Sequence, residues 1–335
     1  TGQTSGTHGA VANGWYHRDL SEVQFWKQSN HLVQAPKVWE TLREKHSNFT
    51  CAKLFWWYNM YSSADWSITP RPMYPADGRK VFDIHTQPNT IRADIKRDLG
   101  EFPFPGFWGP AAGVDTSQGS ADCASRWIAE SAKWIEQKHS PTLSLVYLPH
   151  LDYNLQRLGP EAGAIVTDLR EIDDIVGELL EFYERNGVQV VLLSEYGITE
   201  VKNAIHLNRL FRKQGWLTVK EERGLELLDA GASRAFAVAD HQVAHIYLNR
   251  NEDSSFRDEV KKFLEKIEGV QSILDPAAKK GLGVDHERSG DLIAVAKENA
   301  WFTYYYWLDD SLAPDFARTV DIHRKPGFDP AELFI

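Results

Sequence analysis

Sulfur is scarce in this chain: 335 residues include two methionines and two cysteines, Cys51 and Cys123. Two thiols cannot form a disulfide framework in a chain of this length, and their spacing is not that of a zinc finger. Both are expected as small buried residues. Positive charge is also in deficit. The net charge of −10 excludes a broad surface for a nucleic-acid polymer, although a local basic pocket stays open. No apolar run approaches the roughly 20 residues of a membrane span, which excludes a membrane-spanning helix. The opening TGQTSGTHGA has neither the charged nor the apolar region of a secretory signal, and from that absence a cytoplasmic location is expected. It also lacks Met and enters directly on a turn, so further polypeptide, able to carry a signal of its own, is expected upstream of Thr1. Internal repeats, low-complexity tracts and a clear interdomain linker are missing too.

What is present is the make-up of a soluble globular protein, with 42% apolar and 25% charged residues. Aromatic residues reach 12%, most of them expected in the core. The length suits one large or two ordinary domains. Thr142–Leu148 (TLSLVYL) and Val188–Ser194 (VQVVLLS) are continuous, β-branched apolar runs, which read as strands buried on both faces. AFAVAD, VAHIYLN and DLIAVA read as further strands. Between the first two, Glu161–Arg185 places Ile165, Leu169, Ile172, Val176, Leu179 and Tyr183 on one helical stripe, with Gly187 as its C′ residue. Strand, helix and strand of these lengths make a right-handed crossover, so the two strands should be parallel neighbours. Other helices are predicted over Ala121–Lys138, Asn203–Gln214 and Ser255–Ile267. The fold class is α/β, a largely parallel central sheet flanked by helices. Residues 51–113 break the pattern with irregular prolines, glycines and aromatics, and read as a loop-rich cap or insert within a single 1–335 domain.

Ligands of parallel α/β sheets gather beyond the C-terminal strand ends. The first strand runs into His150, Asp152 and Gln156; the second into Ser194, Glu195, Tyr196 and Gly197. Were the strands neighbours, Asp152 and Glu195 would approach each other, and paired carboxylates repel unless a proton or cation lies between them. A divalent metal would satisfy both and polarise a phosphoryl oxygen. Against this stands a purely structural role, Asp152 capping a helix and Glu195 pairing with an arginine. In ADHQVAH, His241 and His245 would share one face of a strand, beside Asp240. Asp285, His286 and Arg288 form either a site or a turn, and His323 lies in a late Arg-Lys-Pro-Gly loop.

In this order the clusters resemble the alkaline phosphatase superfamily, nearest its nucleotide pyrophosphatase/phosphodiesterase branch. The matching positions are Thr1-Gly2, His8-Gly9 with Asn13, Asp152-x-x-x-Gln156-x-x-Gly159-Pro160, Ser194-Glu195-Tyr196-Gly197 and His323, and they span the chain. The resemblance implies a sheet between helices with two divalent metals, usually zinc, at the strand ends. It implies metal ligands at Asp152, Gln156, Glu195 and His323, and substrate contacts from Asn13, on a phosphoryl oxygen, with Tyr196 and His241. It also implies a threonine nucleophile that forms a phosphoenzyme; that threonine and the first metal-binding strand would fall upstream of Thr1, leaving residues 1–335 alone inactive.

Two substitutions depart from the family pattern. Gln156 stands where the family has a histidine ligand, and Glu195-Tyr196 where it has Asp-His. Oxygen donors in place of imidazoles favour Mg or Mn over Zn; alternatively His150, His241 or His245 moves in. The reading is a metal-dependent hydrolase of phosphodiester, pyrophosphate or phosphonate bonds, acting on a small phosphorylated substrate. A catalytically silent binding protein on the same fold and a phosphomutase are the alternatives. Aromatic side chains of Phe55–Trp66 would either stack on a flat leaving group or fill the core.

Overall fold

The computed structural model describes residues 1–71, 73, 75–79, 81–107, 121–161, 163, 165–249, 252–314 and 317, without the side chains of 121–123. In chain order the elements are α1 (Ser5–His8), β1 (Gly14–His17), β2 (Glu22–Phe25), α2 (Val38–Lys45), β3 (Cys51–Leu54), β4 (Trp66–Pro70), β5 (Ile84–Gln87) and α3 (Ile91–Leu99). Then follow α4 (Ala121–His139), β6 (Leu143–Val146), α5 (His150–Leu158), α6 (Ile165–Arg185), β7 (Asn203–Ile205), α7 (Leu207–Lys213), β8 (Val219–Glu222) and β9 (Leu225–Leu228). The chain ends through β10 (Ala235–Asp240), β11 (Val243–Leu248), α8 (Ser254–Leu264), β12 (Val270–Leu274), α9 (Pro276–Leu282), β13 (Leu292–Ala296) and β14 (Ala300–Phe302). These elements divide between two compact units: Thr1–Gly2 with Gln28–Ile198, and Gln3–Lys27 with Thr199–Ile335.

The first unit is built on a four-stranded sheet in the order β5-β4-β3-β6. β3 runs parallel to both β4 and β6, with Lys53 opposite Ser67 on one side and Leu145 on the other; β5 is antiparallel to β4. Every residue of β3 is buried, as an inner strand covered on both faces requires. Residues 51–113, the stretch read as a cap, supply β3, β4 and β5 of this sheet together with their loops. The aromatic side chains there serve mainly as core: Phe55, Phe102, Phe104 and Phe107 are buried in one cluster with Ile128 and Trp127 of α4. Cys51 is buried in β3, and burial lifts its thiol to about 12, which makes it an inert packing residue. Cys123 lies outside the described side chains.

Two details of this unit differ from the sequence reading. Among the described residues Val188–Ser194 forms no strand and pairs with no other strand; Val191, Leu192 and Leu193 are 77%, 70% and 67% exposed. β6 is consequently an edge strand among the described residues, half-buried along its length. The apolar pattern of residues 188–194 specifies a buried strand, but a strand forms only where a second backbone is available to hydrogen-bond it. The second difference is the face of α6. Its buried residues are Ile165, Asp168, Ile175, Leu179 and Tyr183, whereas Leu169 is 48% exposed. The stripe keeps Ile165, Leu179 and Tyr183 but runs through Asp168 and Ile175 in place of Leu169 and Val176, so a carboxylate occupies one of its places. The helix ends as expected: Gly187 has φ +69° and Val188 N–H returns to Tyr183 O at 2.9 Å.

The second unit centres on an antiparallel sheet, β10-β11-β13-β12, with β14 and β7 paired in parallel beside the β1-β2 and β8-β9 hairpins. β10, β11 and β13 are the strands expected from AFAVAD, VAHIYLN and DLIAVA. α7 falls within the first predicted helical stretch, although Asn203–Ile205 at its start is β7, and α8 overlaps the second, beginning one residue earlier at Ser254. Asp253 and Asp275 begin α8 and α9 by accepting the backbone N–H of Phe256 and Ala278, both at 3.0 Å. No helix among the described residues is long and apolar enough to cross a membrane.

Candidate active site

In the first unit, β6 ends at Val146 and Pro149 turns the chain into α5, a helix not foreseen from the sequence. Pro149 is tolerated there because the first helical N–H groups have no partner within the helix. Asp152 therefore lies in the first turn of α5, 8% exposed, where the helix dipole favours a negative charge. Gln156 is one turn on, on the same face, and its Nε2 donates to Asp152 Oδ2 at 2.8 Å. The amide thus braces the carboxylate. Its own Oε1 is buried and makes no hydrogen bond. Gly159 closes the helix with φ +82°, a conformation costly for any residue bearing a Cβ.

Glu195 follows the extended segment that leaves α6. Its carboxyl is raised above the usual carboxylate range, first by partial burial and then by the negative charge of Asp152. The two acids therefore sense each other, across the end of β6. Tyr147, the first residue after that strand, lies among them: burial pushes its hydroxyl far up, helped by Tyr196, Asp152, Tyr153 and Glu195. The ring of Trp57 lies 5.9 Å from that of Tyr147. Tyr196 is 52% exposed, and Ser194 Oγ donates to its carbonyl at 2.7 Å. Paired carboxylates, a braced amide and three aromatic side chains thus gather where β6 ends. Tyr147 and Trp57 were not singled out from the sequence. The signal for Tyr147 was its place directly after an apolar run; Trp57 was hidden among the aromatics of the core.

The second unit holds a separate polar cluster. β10 and β11 form a hairpin whose turn is His241-Gln242, with His241 at φ +57°. His241 and His245 therefore do not share one face of a single strand. Asp240 accepts both the backbone N–H and the side-chain amide of Asn13, at 2.9 and 3.1 Å, and His241 Nδ1 lies 3.1 Å from its Oδ1. Asn13 already donates its amide to a carboxylate. Donation to a phosphoryl oxygen would have to replace that bond. His245 is buried, with Nδ1 accepting Gly290 N–H at 3.0 Å. Arg288 of the Asp285–Arg288 loop holds the Gly9 carbonyl at 2.9 Å, a structural turn contact. His323 lies outside the described residues.

Residues 1–329 match the type I phosphodiesterase / nucleotide pyrophosphatase family, and the chain belongs to that family. An uncharacterized pyrophosphatase/phosphodiesterase of Schizosaccharomyces pombe is 29% identical over 87 residues, 24% of this chain and 18% of that protein's length. Three solved structures share the fold. The alkaline phosphatase PafA matches with a TM-score of 0.64 at 13% identity, over 90% of this chain and 74% of its own. Phosphonoacetate hydrolase of Sinorhizobium meliloti, in complex with phosphonoacetate, gives 0.55 at 15%, over 90% and 68%. Murine ectonucleotide pyrophosphatase / phosphodiesterase 5 gives 0.53 at 14%, over 90% and 66%.

Proposed function

We propose that the chain is the catalytic fold of a metal-assisted hydrolase of phosphoester bonds, with a diester, pyrophosphate or phosphonate as substrate. The observation that carries this reading is the electrostatic coupling of Asp152 and Glu195 at the end of β6. Two carboxylates that sense each other's charge repel unless a proton or a cation lies between them. The donor set fits a cation: Asp152 is buried and braced, Glu195 is raised, and the buried Gln156 Oε1 has no hydrogen-bond partner. All three offer oxygen, which suits Mg²⁺ or Mn²⁺ better than Zn²⁺. Such a cation supplies Lewis acidity toward a phosphoryl oxygen.

The chain's own residues do the rest. Gln156 fixes the orientation of the Asp152 carboxylate. Tyr147 and Tyr196 lie near the acids, with the ring of Trp57 5.9 Å from that of Tyr147, an aromatic group suited to a flat organic moiety carried by the phosphorus. Solved relatives hold small ligands of this chemistry: phosphonoacetate in the Sinorhizobium meliloti hydrolase, and AMP in an inactive form of the murine protein.

The test is hydrolysis of bis(p-nitrophenyl) phosphate by the protein expressed from its complete gene, after chelation and return of Mg²⁺, Mn²⁺ or Zn²⁺. Turnover restored best by Mg²⁺ or Mn²⁺ and abolished in Asp152→Asn is expected. Metal bound without turnover favours a binding protein, the reading that Gln156 and Tyr196 at the family's histidine positions would support. No metal bound at all ends the proposal.

A further inference from the structure

A second group of ligand-type side chains stands apart from the Asp152–Glu195 pair, on the first turn of α5 and the first two turns of α6. His150 begins α5 and is 1% exposed. Both of its ring nitrogens are buried without a hydrogen-bond partner. Buried imidazoles rarely stand so, because each unsatisfied nitrogen forfeits its hydration. Nε2 nevertheless lies 3.1 Å from Glu171 Oε2 with no hydrogen bond joining them. Asp168, one turn before Glu171 on α6, is 6% exposed and occupies a place on the buried stripe of the helix. One ligand atom from each of His150, Asp168 and Glu171 can be chosen so that all lie within 4.8 Å of one another.

We propose that His150, Asp168 and Glu171 bind a divalent first-row transition-metal cation, zinc or a metal of similar preference, independently of the Asp152–Glu195 site. Two ligand atoms at about 2.0–2.1 Å from one zinc ion stand about 3 Å apart, which is the spacing of His150 Nε2 and Glu171 Oε2. A nitrogen and a carboxylate oxygen that approach so closely without a hydrogen bond are placed as co-ligands. One imidazole with two carboxylates suits zinc or manganese, and two negative charges balance the cation.

The surroundings are those of a metal site. Asn154 Nδ2 donates to Asp168 Oδ2 at 2.8 Å, and Arg157 in turn donates to Asn154 Oδ1 at 2.9 Å. That chain fixes one oxygen of Asp168 and leaves the other for the ion, the outer support that metal-binding carboxylates require. Glu171 has a side chain 37% exposed, which gives a cation a route from solvent and a water its place as fourth ligand.

The experiment is zinc titration of the chelator-treated protein against a chromophoric competitor, with bound metal counted by mass spectrometry. Wild type, Glu171→Gln, Asn154→Ala and Asp152→Asn are compared. Glu171→Gln is expected to lose one equivalent of zinc that Asp152→Asn retains. Asn154→Ala is expected to keep that equivalent with affinity roughly 10–100-fold weaker. X-ray absorption of zinc-loaded Asp152→Asn, which leaves this group intact, is expected to show imidazole and oxygen ligands together. Zinc bound by Glu171→Gln with wild-type stoichiometry and affinity overturns the proposal, as does a spectrum without imidazole scattering or the absence of zinc from Asp152→Asn.

Discussion

Replacing His245 with asparagine should flatten the acid sensitivity of the second unit. His245 is 3% exposed in β11, and burial, its dominant influence, holds the imidazole down from 6.5 to about 4. The charge of Asp240 and a hydrogen bond with Val11 work in the opposite direction, and Lys279 reinforces burial. The neutral ring is locked in because Nδ1 accepts Gly290 N–H, a bond that protonation would destroy. Below pH 6.5 the unfolded chain binds this proton and the folded chain does not, so stability is intact above pH 6.5 and is lost as pH falls toward 4. The interval spans roughly 2.5 pH units, and at about 1.36 kcal/mol per unit the loss is about 3 kcal/mol. Asparagine keeps an acceptor for Gly290 and cannot titrate. Urea unfolding followed by amide hydrogen exchange of β10, β11 and β13, at pH 7.5, 6.5, 5.5 and 4.5, reads the difference. Carboxylate titration affects both proteins alike and cancels. His245→Asn is less stable at pH 7.5 because of its smaller side chain, and the gap should narrow by about 3 kcal/mol at pH 4.5. Parallel curves over that range would show that the buried His245 does not carry the acid sensitivity.

Three further outcomes follow from the first unit. Lys53 is buried in β3 and its ammonium is held down to about 8, so stability there rises with pH from about 8 to the ordinary lysine value of 10.5. Lys53→Met should stabilise the protein at pH 7 by about 2 kcal/mol in denaturant melts, an advantage that fades toward pH 10, because Tyr58 O keeps Asn30 Nδ2 at 2.8 Å as a donor. Cation affinity at Asp152 and Glu195 should climb as pH passes upward through the raised range of Glu195, and calorimetry in which affinity is flat from pH 4 to 7 would exclude Glu195 as a ligand. Gln156→His supplies an imidazole on the face of Asp152 and should move the metal preference toward zinc by at least tenfold, measured by competition between Zn²⁺ and Mn²⁺.

Periodicity made much of this fold legible. β6, β10, β11 and β13 announce themselves as bounded apolar runs, and α4 and α6 as stripes closed by basic or glycine ends. The inner strands β3 and β4 were obscured because their neighbours in sequence are aromatics and prolines, whose irregular spacing suggests loop. Val188–Ser194 shows the converse. Its composition is that of a strand, but composition does not contain the hydrogen-bonding partner that makes one. The acids at Asp152 and Glu195 could be found because strand ends are where ligands gather. Asp168 and Glu171 could not, since acids in IVTDLREIDD look like ordinary helix surface until the rotation of α6 is known. His241 and His245 were parted by a two-residue turn that alternation alone does not reveal.

The stretch from Val190 to Leu193 carries four branched aliphatic side chains, 41–77% open to water, on a backbone with no ladder among the described residues. Extended hydrophobic backbone of that kind is a template for adhesion between molecules. Sulfate and similar excluded salts sharpen its tendency to bury itself, whereas mild urea relieves it. Whatever covers these four side chains would also decide how readily one molecule adheres to another.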